Sequence, residues 1–421
     1  MKKKITLVFI GIYLLFCAIL VSYLFIFSNS EIPAEAKGTV LDPKTFLSDN
    51  ELILSEQYSQ IRNLLFFLET PFEWLFYLFL LLFGLGSRFE RIAKQVTKIK
   101  ILQTAIFTFM LSFTTFIVFY PLRYFRYSLA KKYGISTQNF SHWLRDGIIQ
   151  YWLDWAILFF IAFIVFWLIK KSERRWWLYS WILAMPFAIF YMYIQPVIID
   201  PLFNDFYPLK NKQLEAKILT YANEAGIPAE HVFEVNMSDK TNALNAYVTG
   251  VGNNSRIVLW DTTLERLNEE EVLFIMAHEM AHYVEKHIYI GMIGYLVLLF
   301  VLLFVVNKLL KWFIRQYGVI FSVRSFNDFT ILPLMLLFFS ITLFLTSPVI
   351  NAASRYMEMR ADQYAIELTD DAEAGISTFQ KLTKSSLSQV HPPMLVKWFR
   401  YGHPTMYERM LYLNNYPLET K

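Results

Sequence analysis

The chain has 421 residues, of which 56% are hydrophobic and only 18% charged, and it contains 40 Phe and 11 Trp. Soluble domains carry about 25% charged residues, so this composition excludes an ordinary soluble protein and points to the bilayer, whose edges collect aromatic side chains. A net charge of +4 is too small and too dispersed for nucleic-acid binding, and a single cysteine, Cys17, excludes an internal disulfide or a thiolate metal cage.

A membrane-spanning helix needs about 20 apolar residues. In chain order the candidate runs are Ile5–Ser28, Asn63–Gly86, Ile101–Leu122, Tyr151–Ile169, Trp176–Ile199, Ile288–Asn307 and Ile331–Ile350. The first follows Lys2-Lys3-Lys4 but outruns the apolar core of a signal peptide and lacks a clean small-residue cleavage site, so it reads as a retained span. Glu69, Pro71 and Glu73 interrupt the second, Pro186 and Pro196 lie in the fifth, and Pro333 and Pro348 in the seventh. Prolines are tolerated in membrane helices where neighbours satisfy the freed carbonyls. Glu69, Glu73 and Asp154 fall within these runs, where charges at membrane depth are functional candidates by default, although each fits a membrane boundary equally well.

Two polar stretches lie between and after the spans. In the first, Lys212–Ala225 reads as an amphipathic helix closed by Gly226 and Pro228. Short β-type runs follow at Val232–Asn236, Ala246–Gly250 and Arg256–Trp260. A helix then starts at Asn268, a good N-cap, with Glu269, Glu270 and Glu271 at the positive end of its dipole. It runs through His282 and is expected to continue straight into the sixth span. The second polar stretch, residues 351–421, is helical by pattern. The chain therefore divides into five spans (1–199), a first polar segment (200–287), two spans (288–350) and a second, helical polar part (351–421).

Lys and Arg counts set the orientation. The N-terminus, the loop of Arg88, Arg91, Lys94, Lys98 and Lys100, and the loop of Lys170, Lys171, Arg174 and Arg175 share one side. That side is cytosolic by charge and both polar stretches lie opposite, although the loop of Arg123, Arg126, Lys131 and Lys132 counts the other way.

The chemistry sits in His278-Glu279-Met280-Ala281-His282. Histidines four apart stand one turn apart on one helical face, where both can reach a zinc ion, and Glu279 beside them can take a proton from the attacking water. Two surface histidines can produce the same short pattern by chance. The capped helix, with apolar Leu273, Phe274 and Ile275 ahead of the motif, favours the metal. A catalytic zinc wants a third protein ligand. Glu358 and Asp362, four apart after the seventh span, can supply one carboxylate to the metal and a second behind a ligand histidine, fixing its tautomer. Read alone, Arg355, Glu358 and Asp362 are also an ordinary solvated helix face. His287, five residues past His282, is the rival ligand but points off the face.

Together these residues resemble the integral-membrane zinc CAAX prenyl endopeptidases of the type I, a-factor-converting kind. The likeness rests on His278-Glu279-x-x-His282, Asn351 with Ser354-Arg355-x-x-Glu358-x-x-x-Asp362, Asn245-Ala246-Tyr247, Arg256 to Asp261, Pro201 to Asn204, and His403-Pro404-Thr405 with Arg409. It covers about Pro196 to Leu413 by motif and the first five spans by number and placement. The resemblance implies a polytopic α-helical membrane protein, seven long helices around a chamber, closed by a small α+β gluzincin-type zinc domain. It implies one Zn²⁺ per chain on His278, His282 and Glu358, with Glu279 and His403 catalytic and His403 facing the oxyanion. Asp362 and Arg355 would support the ligands, and Asn245, Ala246 and Tyr247 would form an edge strand that pairs with substrate. The expected activity is metal-assisted hydrolysis of a peptide, lipidated peptide or membrane-protein substrate in the bilayer. Two other readings remain open at this point: a quality-control protease of membrane proteins without prenyl preference, and a non-proteolytic membrane chaperone or scaffold.

Overall fold

The computed structural model describes residues 2–229, 231–249 and 256–417. Apolar sequence and polar caps together define its long helices. They begin with α1 (Lys2–Ser22), a single turn α2 (Pro43–Phe46) and α3 (Asp49–Leu82). Ser48 and Glu51 form a capping box that starts α3. The second span is thus longer at its start than the apolar run indicates, and it ends before Gly86. Gly84, in the left-handed region at φ 74°, breaks it and opens α4 (Leu85–Val96), an amphipathic helix with Arg88, Arg91 and Lys94. Then follow α5 (Lys100–Lys132), α6 (Phe140–Lys171) and α7 (Trp176–Ile194).

Among the described residues seven helical segments are long and apolar enough to cross a membrane, as expected: residues 2–27, 49–82, 100–132, 140–171, 176–202, 287–317 and 331–369. The last two are α11 (His287–Tyr317) and α12 (Ile331–Thr369). Neighbour contacts close six of the seven spans into a ring, α3 to α12 to α11 to α7 to α6 to α5, and α4 and the Phe72, Phe76 and Phe119 rings join α5 back to α3. The first span packs on α3. In a packed bundle each helix buries a stripe of at least about 100°, roughly a quarter of its circumference. Here the most apolar windows of the fifth and sixth spans are only 6% buried. These two spans thus share little buried surface with the rest of the ring.

One end of the ring is sealed. Leu80, Leu81, Leu82, Phe107, Trp176, Val323, Phe326 and Phe329 pack there as a single buried cluster, and the Trp176 indole donates to Asn307 Oδ1 at 3.1 Å.

The opposite end carries the polar stretches. A four-stranded sheet is built from β1 (Phe206–Pro208), β2 (Val232–Val235), β3 (Ala246–Thr249) and β4 (Arg256–Trp260), in the order β1-β2-β4-β3. The β2–β4 pair is parallel and the other two pairs are antiparallel. Gly250, expected to end the third strand's run, lies outside the described residues. Against the sheet pack α8 (Lys212–Glu224), α9 (Asp261–Arg266) and α10 (Glu269–Val284). The sequence after α12 forms α13 (Ala372–Ser386), α14 (Met394–Arg400) and α15 (Met406–Asn414), and these wrap the other side of α10 and α12.

Two junctions differ from the sequence reading. The Asn268 helix does not run into the sixth span: Lys286, at φ 59°, turns the chain between α10 and α11. Conversely, α12 passes residue 350 unbroken, so the seventh span carries Glu358 and Asp362 directly into the site.

Candidate metal centre

Helix α10 is held where its motif is needed. Asn268 and Glu271 form a capping box at its start. Glu271, almost wholly buried, accepts hydrogen bonds from Ser377 Oγ and Lys381 Nζ, both at 2.7 Å, which tie α10 to α13. Helix α12 packs along α10 and presents Glu358 and Asp362, four residues apart, to its histidine face.

Ligand atoms of His278, His282 and Glu358 all lie within 4.8 Å of one another. His278 Nε2 is 3.2 Å from Glu358 Oε2, and His282 Nε2 is 3.6 Å from Glu358 Oε1. Two atoms each about 2.05 Å from a tetrahedral zinc stand about 3.3 Å apart, so these separations fit one ion. Glu358 Oε2 is buried without a well-formed hydrogen bond, although His403 Nδ1 lies 2.8 Å away. A buried carboxylate oxygen in that state calls for a cation.

Each histidine has a partner behind it. His278 Nδ1 is 2.9 Å from Asp362 Oδ1, and the Arg409 guanidinium in turn grips Asp362 through Nε at 2.8 Å and Nη2 at 2.6 Å. Arg409 also lies over the Phe379 ring, 4.0 Å from its centroid. The His282 Nδ1 is 3.0 Å from His287 Nδ1, and His287 Nε2 is 3.3 Å from Glu285 Oε2. Arg360 donates to both oxygens of Glu285, at 2.6 and 3.3 Å. With Nε2 left for the metal, His282 donates from Nδ1 to His287, which donates onward from Nε2 to Glu285. His287 is thus not a rival ligand: it sits behind one. Its spacing of five gave no signal of this, because the turn at Lys286 swings it back beside His282.

Electrostatics agree with the geometry. Burial opposes charge on His278, yet hydrogen bonds to Asp362 and Glu358 raise its pKa to about 9. Burial, reinforced by His278, lowers that of His282 to about 4. Glu279 is pushed up to about 7 by burial, with His278 pulling it down and Glu358 pushing it further up. A carboxyl tuned near neutrality suits proton transfer in both directions.

The remaining expected residues fall in two groups. Asn245, Ala246, His278, Glu279, His403 and Arg409 line one cavity of about 370 Å³. Strand β3 is the sheet's outer strand, and Trp260 N–H donates to Asn245 O at 3.2 Å. That bond turns the backbone of Asn245 inward; by antiparallel alternation Tyr247 also faces β4, and Ala246 and Val248 direct theirs to the free edge. Arg355, expected to support the site without performing chemistry, sits one step back from the metal-binding group. Its guanidinium donates to Lys397 O at 3.1 Å and Tyr401 O at 2.8 Å, bracing the segment that leads to His403. Thr405 and Glu408 cap α15 directly after it. The membrane-depth acids are satisfied locally: Glu69 pairs with Arg126, Glu73 accepts from Ser340 Oγ at 3.0 Å, and Asp154 accepts from Gln150 Nε2 at 2.7 Å.

The chain is similar to known proteins. Residues 208–416 match peptidase family M48, and residues 22–205 match the CAAX prenyl protease N-terminal region of five membrane helices. The chain is 48% identical to the Bacillus subtilis metalloprotease YhfN, covering 94% of this chain and 93% of that one. It is 30% identical to the Dictyostelium discoideum CAAX prenyl protease 1 homolog, covering 68% and 67% respectively. The crystal structure of S. mikatae Ste24p has the same fold, with a TM-score of 0.81 at 23% identity over 99% of both chains.

Proposed function

The chain belongs to the CAAX prenyl protease family of M48 peptidases and is a multi-pass, zinc-dependent membrane metalloprotease; from that premise we propose how its residues divide the work. His278, His282 and Glu358 hold one zinc ion. Bound there, zinc supplies a Lewis acid that polarises the scissile carbonyl and acidifies the attacking water. Glu279 takes the proton from that water and delivers it to the leaving amine, a task its pKa of about 7 suits. His403, on the cavity rim, donates to the developing oxyanion. Asp362 and His287 each fix the ring of one ligand histidine, and Arg409 holds Asp362. The free edge at Ala246 and Val248 pairs with an extended substrate, with the Asn245 side chain beside it.

The single observation that carries this reading is the close triangle of His278, His282 and Glu358 with Glu279 in the adjoining cavity. A scaffold or chaperone has no use for a carboxyl set beside a metal cage on the wall of an accessible cavity.

For the substrate, we propose a lipid-modified peptide whose isoprenoid enters the helix ring while its backbone lies along β3. The apolar, sparsely buried spans of the ring offer surface for a lipid chain, and the relatives named CAAX prenyl protease supply the chemistry of the lipid. The test is cleavage of one peptide with and without a farnesyl thioether, by wild type and by Glu279→Gln. Cleavage of the farnesylated form alone, lost in the variant, is the expected result. Equal cleavage of both forms by the wild type would replace the prenyl substrate with general membrane-protein turnover.

A further inference from the structure

Strand β3 presents its outer edge beside the metal centre, so whatever fixes that strand also fixes how a paired peptide lies over the ion. The stretch leading into it starts with a single 3₁₀ turn (Met237–Asp239) and then runs to Asn245 without regular helix or strand. Its backbone groups must find partners on other elements.

They find them on the helix ring. Gly134, at φ 70°, closes α5, and Ile135 N–H donates back to Ala130 O at 2.9 Å, which sets the angle at which the chain leaves the helix. The residues that follow run antiparallel to the stretch before β3. Thr137 N–H donates to Lys240 O at 3.1 Å, and Asn242 N–H donates to Ile135 O at 2.9 Å. Thr137 Oγ1 donates to Ser238 O and Asn242 Nδ2 to Gly134 O, both at 2.7 Å. Asn139 then caps α6, accepting from His142 N–H at 2.8 Å.

Lys240 draws in two further elements. Its Nζ donates to Asp146 Oδ2 on α6 at 2.7 Å and to Phe203 O, just past the fifth span, at 2.6 Å. The Lys240 and Asp146 side chains are only 22% and 17% exposed, so this is not the fully solvated kind of pair that contributes little. Asp146 also accepts from Gln138 Nε2 at 2.8 Å, and Arg145 beside it donates to Leu202 O at 3.3 Å. On the other flank Asp261 accepts from Ser238 N–H at 2.8 Å. From Lys240 onward the chain has little slack. Ala243 O accepts from Thr262 Oγ1 at 2.7 Å, and Leu244 is buried in the cluster under the sheet. Thr263 Oγ1 bonds both the N–H and the O of Asn245, at 2.9 and 2.8 Å. A displacement at Lys240 is therefore passed on to the strand.

We propose that Lys240 is a positioning residue: with Asp146 and the α5–α6 turn it fixes β3 relative to the metal and so selects which bond of the substrate is cut. The inference rests on the reading that substrate pairs with the edge of β3. It gives the third and fourth spans a part in specificity, because they set the register of the peptide.

The test uses the full-length enzyme and one peptide, with and without a farnesyl thioether, in which every cut gives products of distinct mass. Wild type, Lys240→Met, Lys240→Arg and Asp146→Asn are compared for product masses, KM, kcat and zinc content. Losing one charge-assisted contact is worth about tenfold. KM is thus expected to rise about tenfold in Lys240→Met and Asp146→Asn, with zinc content and kcat little changed. Both variants should add a second cut about two residues away, because a slip of one would turn every side chain to the wrong face. Lys240→Arg, which keeps the donor, should restore the single cut, and the double variant should do no more than either single one. One unchanged cut at unchanged KM in both variants would overturn the proposal, leaving β4 to place the strand and the protease reading intact. Loss of zinc or of kcat with the cut position unchanged would also overturn it, by making Lys240 a residue of the fold alone. If zinc-loaded wild type cleaves neither peptide, the protease reading falls and the proposal with it.

Discussion

At the scale of residues, the site is a pair of histidines each supported from behind by a different chain of contacts. His278 leans on Asp362 and Arg409, all three buried, whereas His282 leans on His287, Glu285 and the more exposed Arg360. Losing a residue behind a ligand typically weakens metal affinity or activity by about 10–100-fold. His287→Ala should therefore weaken zinc binding by about tenfold in competition with a chelator, and His287→Asn, which keeps an acceptor, should recover much of it. Unchanged zinc affinity in His287→Ala would leave the ring a packing residue only. The sequence carried the ligands plainly, because His278 and His282 are set by one helical turn and Glu358 and Asp362 by another. Arg409 came only through the resemblance, since it reaches Asp362 across 47 positions, and Arg400 not at all, since it reaches Asn63 across 337, distances at which no local pattern speaks.

At the scale of elements, the centre depends on three helices keeping register: α10 with both histidines, α12 with both carboxylates, and α13 behind α10. Gly375 on α13 marks how close the last contact is, since a Cβ there would lie 2.7 Å from the Phe274 ring. The Glu271 network pins the same pair. Burial alone would raise the Glu271 carboxyl, but Lys381, Ser377 and the Asn268 N–H hold it below its ordinary value of 4.5. A folded-state pKa below the unfolded one stabilises above the unfolded value and is lost as pH falls through the folded value. Glu271→Gln should cost about 1–3 kcal/mol at pH 7, and wild-type stability should decline below about pH 4.5 more steeply than the variant's, read by thermal unfolding in detergent. Parallel pH profiles for the two proteins would contradict this. The spans, α8, three of the four strands and the cap of α10 were legible from hydropathy and turn chemistry. The residues of β1 were not: Phe206–Pro208 is three residues long and becomes a strand only by pairing with β2. The turn at Lys286 was hidden too, because a lysine in the left-handed region has no sequence signature.

At the scale of the molecule, a helix ring sealed at one end by an apolar cluster carries a metal domain at the other. The sealing cluster contains none of the residues proposed to hold the metal. Chelation should accordingly abolish cleavage while leaving helical content by circular dichroism nearly intact, and added zinc should restore activity. A large loss of helix on chelation would mean that the ring needs the ion to fold. Cleavage restricted to lipidated peptides would tie the apolar helix ring to substrate choice. All of this depends on one claim, that a zinc cage and a neighbouring carboxyl perform hydrolysis. The measurement that bears on it most directly is parallel zinc content and peptide turnover for wild type and Glu279→Gln. One zinc per chain in both, with turnover reduced on the order of a thousandfold in the variant, is the expected outcome; near-normal turnover in a zinc-loaded Glu279→Gln would contradict it.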